Sequence, residues 1–343
     1  GGCHQEQIVR AVREGVNVMI WFSLTLVNNN SVPTFVGGPD YDCVANVSTT
    51  LQAQGLNTTH LMSFGGWDAA HPDTSFSAEV WFEAWETYNA AVARPELGFN
   101  GFDGFDWDIE GTDDGNNTRD STITLELLHL VGQMSTLARA KGYAVSLTPC
   151  QSYLDPASGL FDLLLTHQPP WIPVNTLSFP YHGANAFAYL VAVYPNAFDI
   201  IQIMLYESWS LSNYMINAVK VPPAAYVEGW FRELVFGWYV YFSNLYPTYV
   251  DIQTRWVKLA PSTIVVGLAN AWGPGMLEPT PVSRNTSKQN VILPSELATA
   301  HAALIADNGT APRGYMFWDI IDEGKPIILH NGSTRPLWLA KEL

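Results

Sequence analysis

The sequence predicts an α/β fold of repeated strand–helix units around a parallel sheet, and three observations predict it. Short β-branched and aromatic runs alternate with amphipathic stretches whose apolar residues recur every three or four positions. The 343 residues exceed the common single-domain size but suit one barrel-type α/β domain. No linker, repeat or low-complexity block interrupts the sequence, so a single domain over residues 1–343 is expected.

Taken in order, a helix at residues 5–14 leads into a strand at 16–26, rich in Val, Ile, Leu and aromatic residues. A helix at 43–54 is followed by a strand at 59–64, and a helix at 77–93 by a strand at 101–110. The helix at 121–141 precedes the strand at 143–149, and the short helix at 187–194 precedes the strand at 200–206. A strand at 263–269, a helix at 295–307 opened by Pro294-Ser295, and a strand at 314–320 complete the series. A closed barrel of this kind has eight strands, one more than these seven, and the sequence starts on a helix. The first strand is therefore expected to precede Gly1-Gly2, which reads as the loop after a strand. Residues 206–261 are long and aromatic and are expected to pack a helical excursion, with a partner-binding surface as the alternative.

Composition narrows the function. With 48% apolar and 14% charged residues the chain can bury a large core. A formal charge of −16 argues against nucleic acid, because phosphates need cations. An uncharged substrate fits better. Thirteen Trp, 15 Tyr and 16 Phe exceed the needs of packing, and flat rings hold sugars well, although core positions account for most of them.

Seven N-x-[ST] sequons, at Asn29, Asn46, Asn57, Asn116, Asn285, Asn308 and Asn331, suggest a secretory-route glycoprotein. Among three cysteines, Cys3 and Cys43 are expected to pair because both lie outside the strands, leaving Cys150 as a thiol at a strand end. The longest apolar run, residues 234–242, is too short to span a bilayer. No signal-peptide pattern stands at the N-terminus, so a mature or partial form is expected. A secreted, extracellular protein follows, or a vacuolar or lysosomal one.

The most informative stretch is Phe102-Asp103-Gly104-Phe105-Asp106-Trp107-Asp108-Ile109-Glu110-Gly111. Alternation puts Asp106, Asp108 and Glu110 on one face of a strand and Phe105, Trp107 and Ile109 on the other. Three carboxyl groups stacked on a buried face cannot all ionise cheaply, so at least one proton stays at neutral pH. Glu110 is expected at the carboxyl end of the strand, where barrel enzymes work. A protonated acid there can give its proton to a glycosidic oxygen, and an acidic pH optimum is expected. A calcium loop starting at Asp106 would need a Glu at its twelfth position, where Asn117 stands, so neither metal nor cofactor is expected. HExxH, P-loop and GxSxG motifs do not occur, and the eight His are scattered.

The segment Asp103-Gly-Phe-Asp106-Trp-Asp108-Ile-Glu110 resembles the D-G-x-D-x-D-x-E signature of glycoside hydrolase family 18, the chitinases. In the same order, Ser63-Phe64-Gly65-Gly66-Trp67 resembles the S-x-G-G strand of that family. Gln202-Ile-Met204-Leu-Tyr206 resembles its Q-x-M-x-Y strand, and Gly314-Tyr-Met316-Phe317-Trp318 its final strand. The resemblance implies a (β/α)8 TIM barrel and a retaining hydrolase of β-1,4-linked N-acetylglucosamine polymers, assisted by the substrate's own acetamido group. It implies Glu110 as acid, Asp108 as the group that orients the acetamido and balances the positive intermediate, and Asp106 as its proton-sharing partner. Tyr206 would hydrogen-bond the acetamido oxygen and Trp318 would floor the pocket. Met204, Gln202, Glu207 and Trp67 would line the substrate site, while Asp103, Gly65 and Gly66 would be structural.

Two departures stand out. The family carries Asp or Asn where this chain has Glu207, which moves a sugar-contacting carboxylate. Residues 270–312 are too few for the α+β insertion that deepens the groove in some members, so a shallow cleft is expected. The same strand chemistry suits an endo-β-N-acetylglucosaminidase acting on glycoprotein glycans. A non-catalytic lectin or structural glycoprotein on this scaffold is the reading from another class, although such members typically lose the terminal Glu or the central Asp.

Overall fold

The computed structural model describes residues 3–111, 122–165, 184–206, 210–242, 253–270, 292–328 and 333–343. Glu207, Asn116, Asn285, Asn331 and residues 271–291 of the 270–312 stretch lie outside the described residues. The chain forms two compact units, one of residues 1–148 with 193–199, the other of residues 149–192 with 200–343.

The first unit carries the helices α1 (Gln5–Arg13), α2 (Tyr41–Ala53), α3 (Ala78–Val92) and α4 (Leu125–Ala140). Its strands are β1 (Val18–Asn29), β2 (Val32–Gly37), β3 (Thr59–Gly65), β4 (Gly104–Asp108) and β5 (Ala144–Leu147). They are ordered β5-β4-β3-β1-β2, parallel throughout except for the β1–β2 hairpin. The helices start where their caps dictate. Asp40 accepts from the backbone of Asp42 and Cys43, Ser77 from Val80 and Thr124 from Leu127, each satisfying an N–H that a helix cannot satisfy internally.

The core of this unit is aromatic. Phe64 stacks on Phe105 at 4.9 Å and meets Trp107 edge-on at 5.1 Å, while Trp85 of α3 closes on Phe105 at 5.5 Å. Trp107 Nε1 donates to Ser135 Oγ of α4 at 2.9 Å, so the one polar atom of a fully buried ring is satisfied. The bulky face of β4 therefore points at α3 and α4, as alternation predicts. Many of the aromatic residues that composition set in surplus are used here for packing.

The hairpin was not foreseen. β1 continues to Asn29, turns through Asn30 and Ser31 at φ +51° and +66°, and returns as β2, the last strand in the order. Two residues of positive φ make the tight turn whose twist matches that of paired strands.

The second unit holds α5 (Ala188–Val193) at its boundary, β6 (Ile200–Met204), α6 (Leu211–Tyr214), α7 (Pro223–Phe236), β7 (Trp238–Tyr241) and β8 (Thr254–Val257). Then come β9 (Ile264–Ala269), α8 (Pro294–Asn308), β10 (Gly314–Trp318), β11 (Pro326–Ile328), β12 (Thr334–Pro336) and α9 (Leu339–Glu342). Strands β10, β9 and β6 are adjacent and parallel in that order. β6 and β9 are buried along their whole length, which explains their near-continuous apolar runs. Pro294 opens α8, Glu296 returns its carboxylate to the Leu293 N–H at 2.7 Å, and Gly309 ends the helix at φ +72°.

The expected helical excursion is helical only in part. After α7, Gly237 breaks the pattern and Trp238-Tyr239-Val240-Tyr241 alternates buried and exposed, the period of a strand rather than a helix. It pairs with β8 as an antiparallel hairpin. The fold as a whole is mixed α/β with largely parallel strand pairing, and all seven expected strands are present within it.

Candidate active site

β4 ends at Asp108, and Gly101–Phe102–Asp103 precedes it as irregular backbone, so the strand is shorter at both ends than alternation alone predicts. Asp106 is 2% exposed. Its neighbours on either side supply hydroxyls: Ser63 Oγ donates to Oδ2 at 3.2 Å, and Thr148 Oγ1 donates to Oδ1 at 2.7 Å. Ser63 lies opposite Asp106 in the β3–β4 register, and Thr148 just follows β5, whose Ser146 is opposite Asp106 on the other side. Both carboxyl oxygens are thus held by donors, which a buried acid requires. Asp108, at the strand end, is half-buried.

Glu110 lies two residues past the strand and is 6% exposed. Its backbone is fixed by a residue the sequence did not single out: buried His71 donates from Nε2 to the Glu110 carbonyl at 2.7 Å. The Gly66 N–H donates to the Asp108 carbonyl at 2.6 Å, and the Asp68 N–H to the Gly111 carbonyl at 3.4 Å. The segment 66–68 therefore continues the β3–β4 pairing past the strands and carries the acids with it. Gly65 makes this approach possible. Its φ is +103°, and a Cβ there would overlap the Asp108 carbonyl oxygen. Trp67, two residues on, is 36% exposed.

Asp103 sits out of phase with the other acids and is exposed. It accepts the His60 N–H on Oδ2 at 2.7 Å and so anchors the start of β3. The His60 ring is buried. Trp21 Nε1, which can only donate, points at its Nδ1 at 3.2 Å, so Nε2 carries the hydrogen toward Thr58 Oγ1 at 3.0 Å. Burial pushes the His60 pKa down to about 4, against the opposing pull of the Asp103 charge.

In the second unit, Gln202 and Met204 are buried on β6, and Tyr206, two residues beyond, is 6% exposed. The three share one face by alternation. Ser210 and Ser212 are held by Gln151, which is fully buried. Its Oε1 accepts from Ser210 Oγ at 2.8 Å and from the Ser212 N–H at 2.9 Å, while its Nε2 donates to the Tyr226 hydroxyl at 2.6 Å. Trp318 ends β10 at 37% exposure. Asn270, just past β9, grips the peptide after it: Nδ2 donates to the Asp319 carbonyl at 2.7 Å and Oδ1 accepts the Asp319 N–H at 2.9 Å. Gln151 and Asn270 bind residues distant in sequence, and no motif marks them.

Cys3 and Cys43 form a disulfide with their Cα atoms 5.8 Å apart, tying the start of α1 to α2. Cys150 is a buried free thiol. Asn29, Asn46, Asn57 and Asn308 are exposed. No described helix is long and apolar enough to cross a membrane.

No family model matches the chain, and no curated protein matches it. Solved structures do resemble it. The catalytic domain of a hyperthermophilic chitinase from Pyrococcus furiosus covers 98% of this chain and 87% of its own, at 16% identity and a TM-score of 0.48. A Group IV chitinase from Ostrinia furnacalis covers 91% and 88%, at 11% identity and a TM-score of 0.44. The C-terminal domain of Legionella pneumophila ChiA covers 92% of this chain and 89% of its own, at 14% identity and a TM-score of 0.50, a likeness of fold alone.

Proposed function

We propose that the protein is a retaining glycoside hydrolase that cleaves β-1,4-linked N-acetylglucosamine polymers, chitin or chitooligosaccharides, with assistance from the substrate acetamido group. One observation carries the reading. Asp106 and Asp108 on β4 and Glu110 two residues past its end follow one another, the innermost held by two hydroxyls and the outermost fixed through its own carbonyl. The similarity of solved chitinases in fold is consistent with it, and the four-acid signature adds the chemistry.

In this mechanism Glu110 protonates the leaving oxygen while the acetamido carbonyl attacks the anomeric carbon, forming a bicyclic oxazolinium ion. Asp108 orients the acetamido and balances the positive charge, and Asp106 shares a proton with it. Water then opens the intermediate, with Glu110 returning as base. Tyr206 hydrogen-bonds the acetamido oxygen, and Trp318 forms the pocket floor. Trp67, Gln202, Met204 and Glu207 contact the sugar chain. The reading includes closure of the strands into a (β/α)8 barrel acting as one domain.

Secretion belongs to the same proposal. It is supported by the Cys3–Cys43 disulfide and by four exposed sequons, at Asn29, Asn46, Asn57 and Asn308. The deciding test is release of chromophore from a chitobiose or chitotriose aryl glycoside by the protein and by its Glu110→Gln variant. Turnover that disappears in the variant is expected. Equal, background-level release from both would favour a non-catalytic carbohydrate-binding protein.

A further inference from the structure

The end of α7 and the β7–β8 hairpin together carry a group of exposed rings that the catalytic reading does not use. Phe236 is 75% exposed, Tyr239 55%, Tyr241 49% and Trp256 43%. Tyr239 and Tyr241 are alternate residues of β7 and so share a face, on which successive side chains stand ~7 Å apart. Trp256 is directly opposite Tyr239 in the register, their ring centroids 4.7 Å apart, and Phe236 meets the same indole at 5.4 Å. Exposed apolar side chains normally occur singly, and a contiguous group marks a binding surface.

The backbone holds two of these rings in place. A Cβ at Gly159 would overlap the Tyr241 ring, and one at Gly237 would overlap the Trp256 indole. Each ring is therefore laid on a glycine, with part of its surface fixed against main chain and the rest in water. Tyr241 is further tied by its N–H to the Gly159 carbonyl at 2.9 Å. Such rings lose little conformational freedom when a ligand stacks on them.

Charge chooses the occupant. The chain as a whole is at −16, yet residues 236–242 and 253–257 hold no acid and one cation, Arg255. An acidic protein partner, or a second copy of this chain at −16, would be repelled by the net charge of the whole molecule. A polyhydroxylated, uncharged chain meets no repulsion, and the ring face has no charge to desolvate, because Arg255 alternates with Trp256 and lies on the other face of β8. The C–H faces of such a chain suit the rings, and its hydroxyls suit the Tyr hydroxyls, Gln253 and Thr254.

We infer that the Phe236, Tyr239, Tyr241 and Trp256 face is an accessory binding platform for an uncharged polysaccharide, separate from the residues assigned to hydrolysis. Its expected ligand, a β-linked N-acetylglucosamine polymer, rests on the proposed function. The test is adsorption of the full-length Glu110→Gln protein to insoluble chitin particles, with and without Phe236→Ala, Tyr239→Ala and Tyr241→Ala together. Trp256 is kept in both so that the indole packed on Gly237 remains.

The triple substitution is expected to weaken adsorption about tenfold or more. In the otherwise wild-type protein it should leave aryl chitobioside turnover and the melting temperature unchanged. If the melting temperature falls, Phe236→Ala alone, at the most exposed ring, carries the comparison. Unchanged adsorption would overturn the platform, as would ring-dependent dimerisation in sedimentation with adsorption intact. Ring-dependent adsorption by a protein that turns over no aryl glycoside would uphold the platform and remove the hydrolytic reading.

Discussion

His71 donates its Nε2 hydrogen to the carbonyl of Glu110 across 2.7 Å, with both residues buried. A histidine 39 positions upstream therefore sets the backbone from which the proposed acid projects. His71→Phe removes the donor while keeping a ring in the space. Turnover of an aryl chitobioside should fall about tenfold, the equivalent of one lost hydrogen bond, with KM little changed. A KM effect without a kcat effect would place His71 in binding instead.

Asp108→Asn keeps the shape of the side chain and removes its charge. Turnover should drop by about two orders of magnitude or more while oligosaccharide binding survives, because the charged intermediate loses its counter-ion. Single-turnover kinetics beside an affinity measurement would separate the two. An unaffected rate would show that the roles assigned to the acids are wrong.

Asn270 binds both the N–H and the carbonyl of Asp319, the residue after Trp318. Asn270→Ala leaves this peptide without its side-chain clamp at a site 1% exposed, which should destabilise the protein by about 1–3 kcal/mol. The loss should also raise KM, since Trp318 no longer has a fixed base. Urea denaturation and steady-state kinetics on the same preparation test both effects.

His60 sets a limit on acid stability. Its pKa is near 4 in the fold, below the value of 6.5 for an exposed imidazole, so the unfolded chain binds the extra proton first. The stability it contributes is complete above about pH 6.5 and is lost as pH falls toward 4, about 3 kcal/mol in all. His60→Gln should flatten that part of the stability profile between pH 6.5 and 4.5. Parallel profiles for the two proteins would assign the acid loss to other groups.

The strands and helices were readable because their periods are local. Ser77, Thr124 and Pro294 announce helix starts, and the expected limits fall within a few residues of those observed. The face of Asp106 and Asp108 follows from alternation alone. Its partners do not. Ser63 and Thr148 reach Asp106 from 43 and 42 residues away, and only assembly of the sheet brings them there. The end of β4 before Glu110 likewise depends on where β3 stops and Gly65 turns. The β7–β8 hairpin was hidden by its aromatic richness, which reads equally as a buried helix until Gly237 and the two-residue alternation are weighed together.

The tight turn through Asn30 and Ser31 makes Asn29 and Val32 the hydrogen-bonded pair that closes the hairpin. The next pair, Asn28 with Pro33, then aims its main-chain groups away from β1. Pro33 has no hydrogen to offer on that outer margin. A foreign strand laid alongside would find its first rung missing, even though Val32 and Val36 stand in water at 57% and 51% exposure. One imino acid thus protects the rim of the sheet against runaway stacking between molecules.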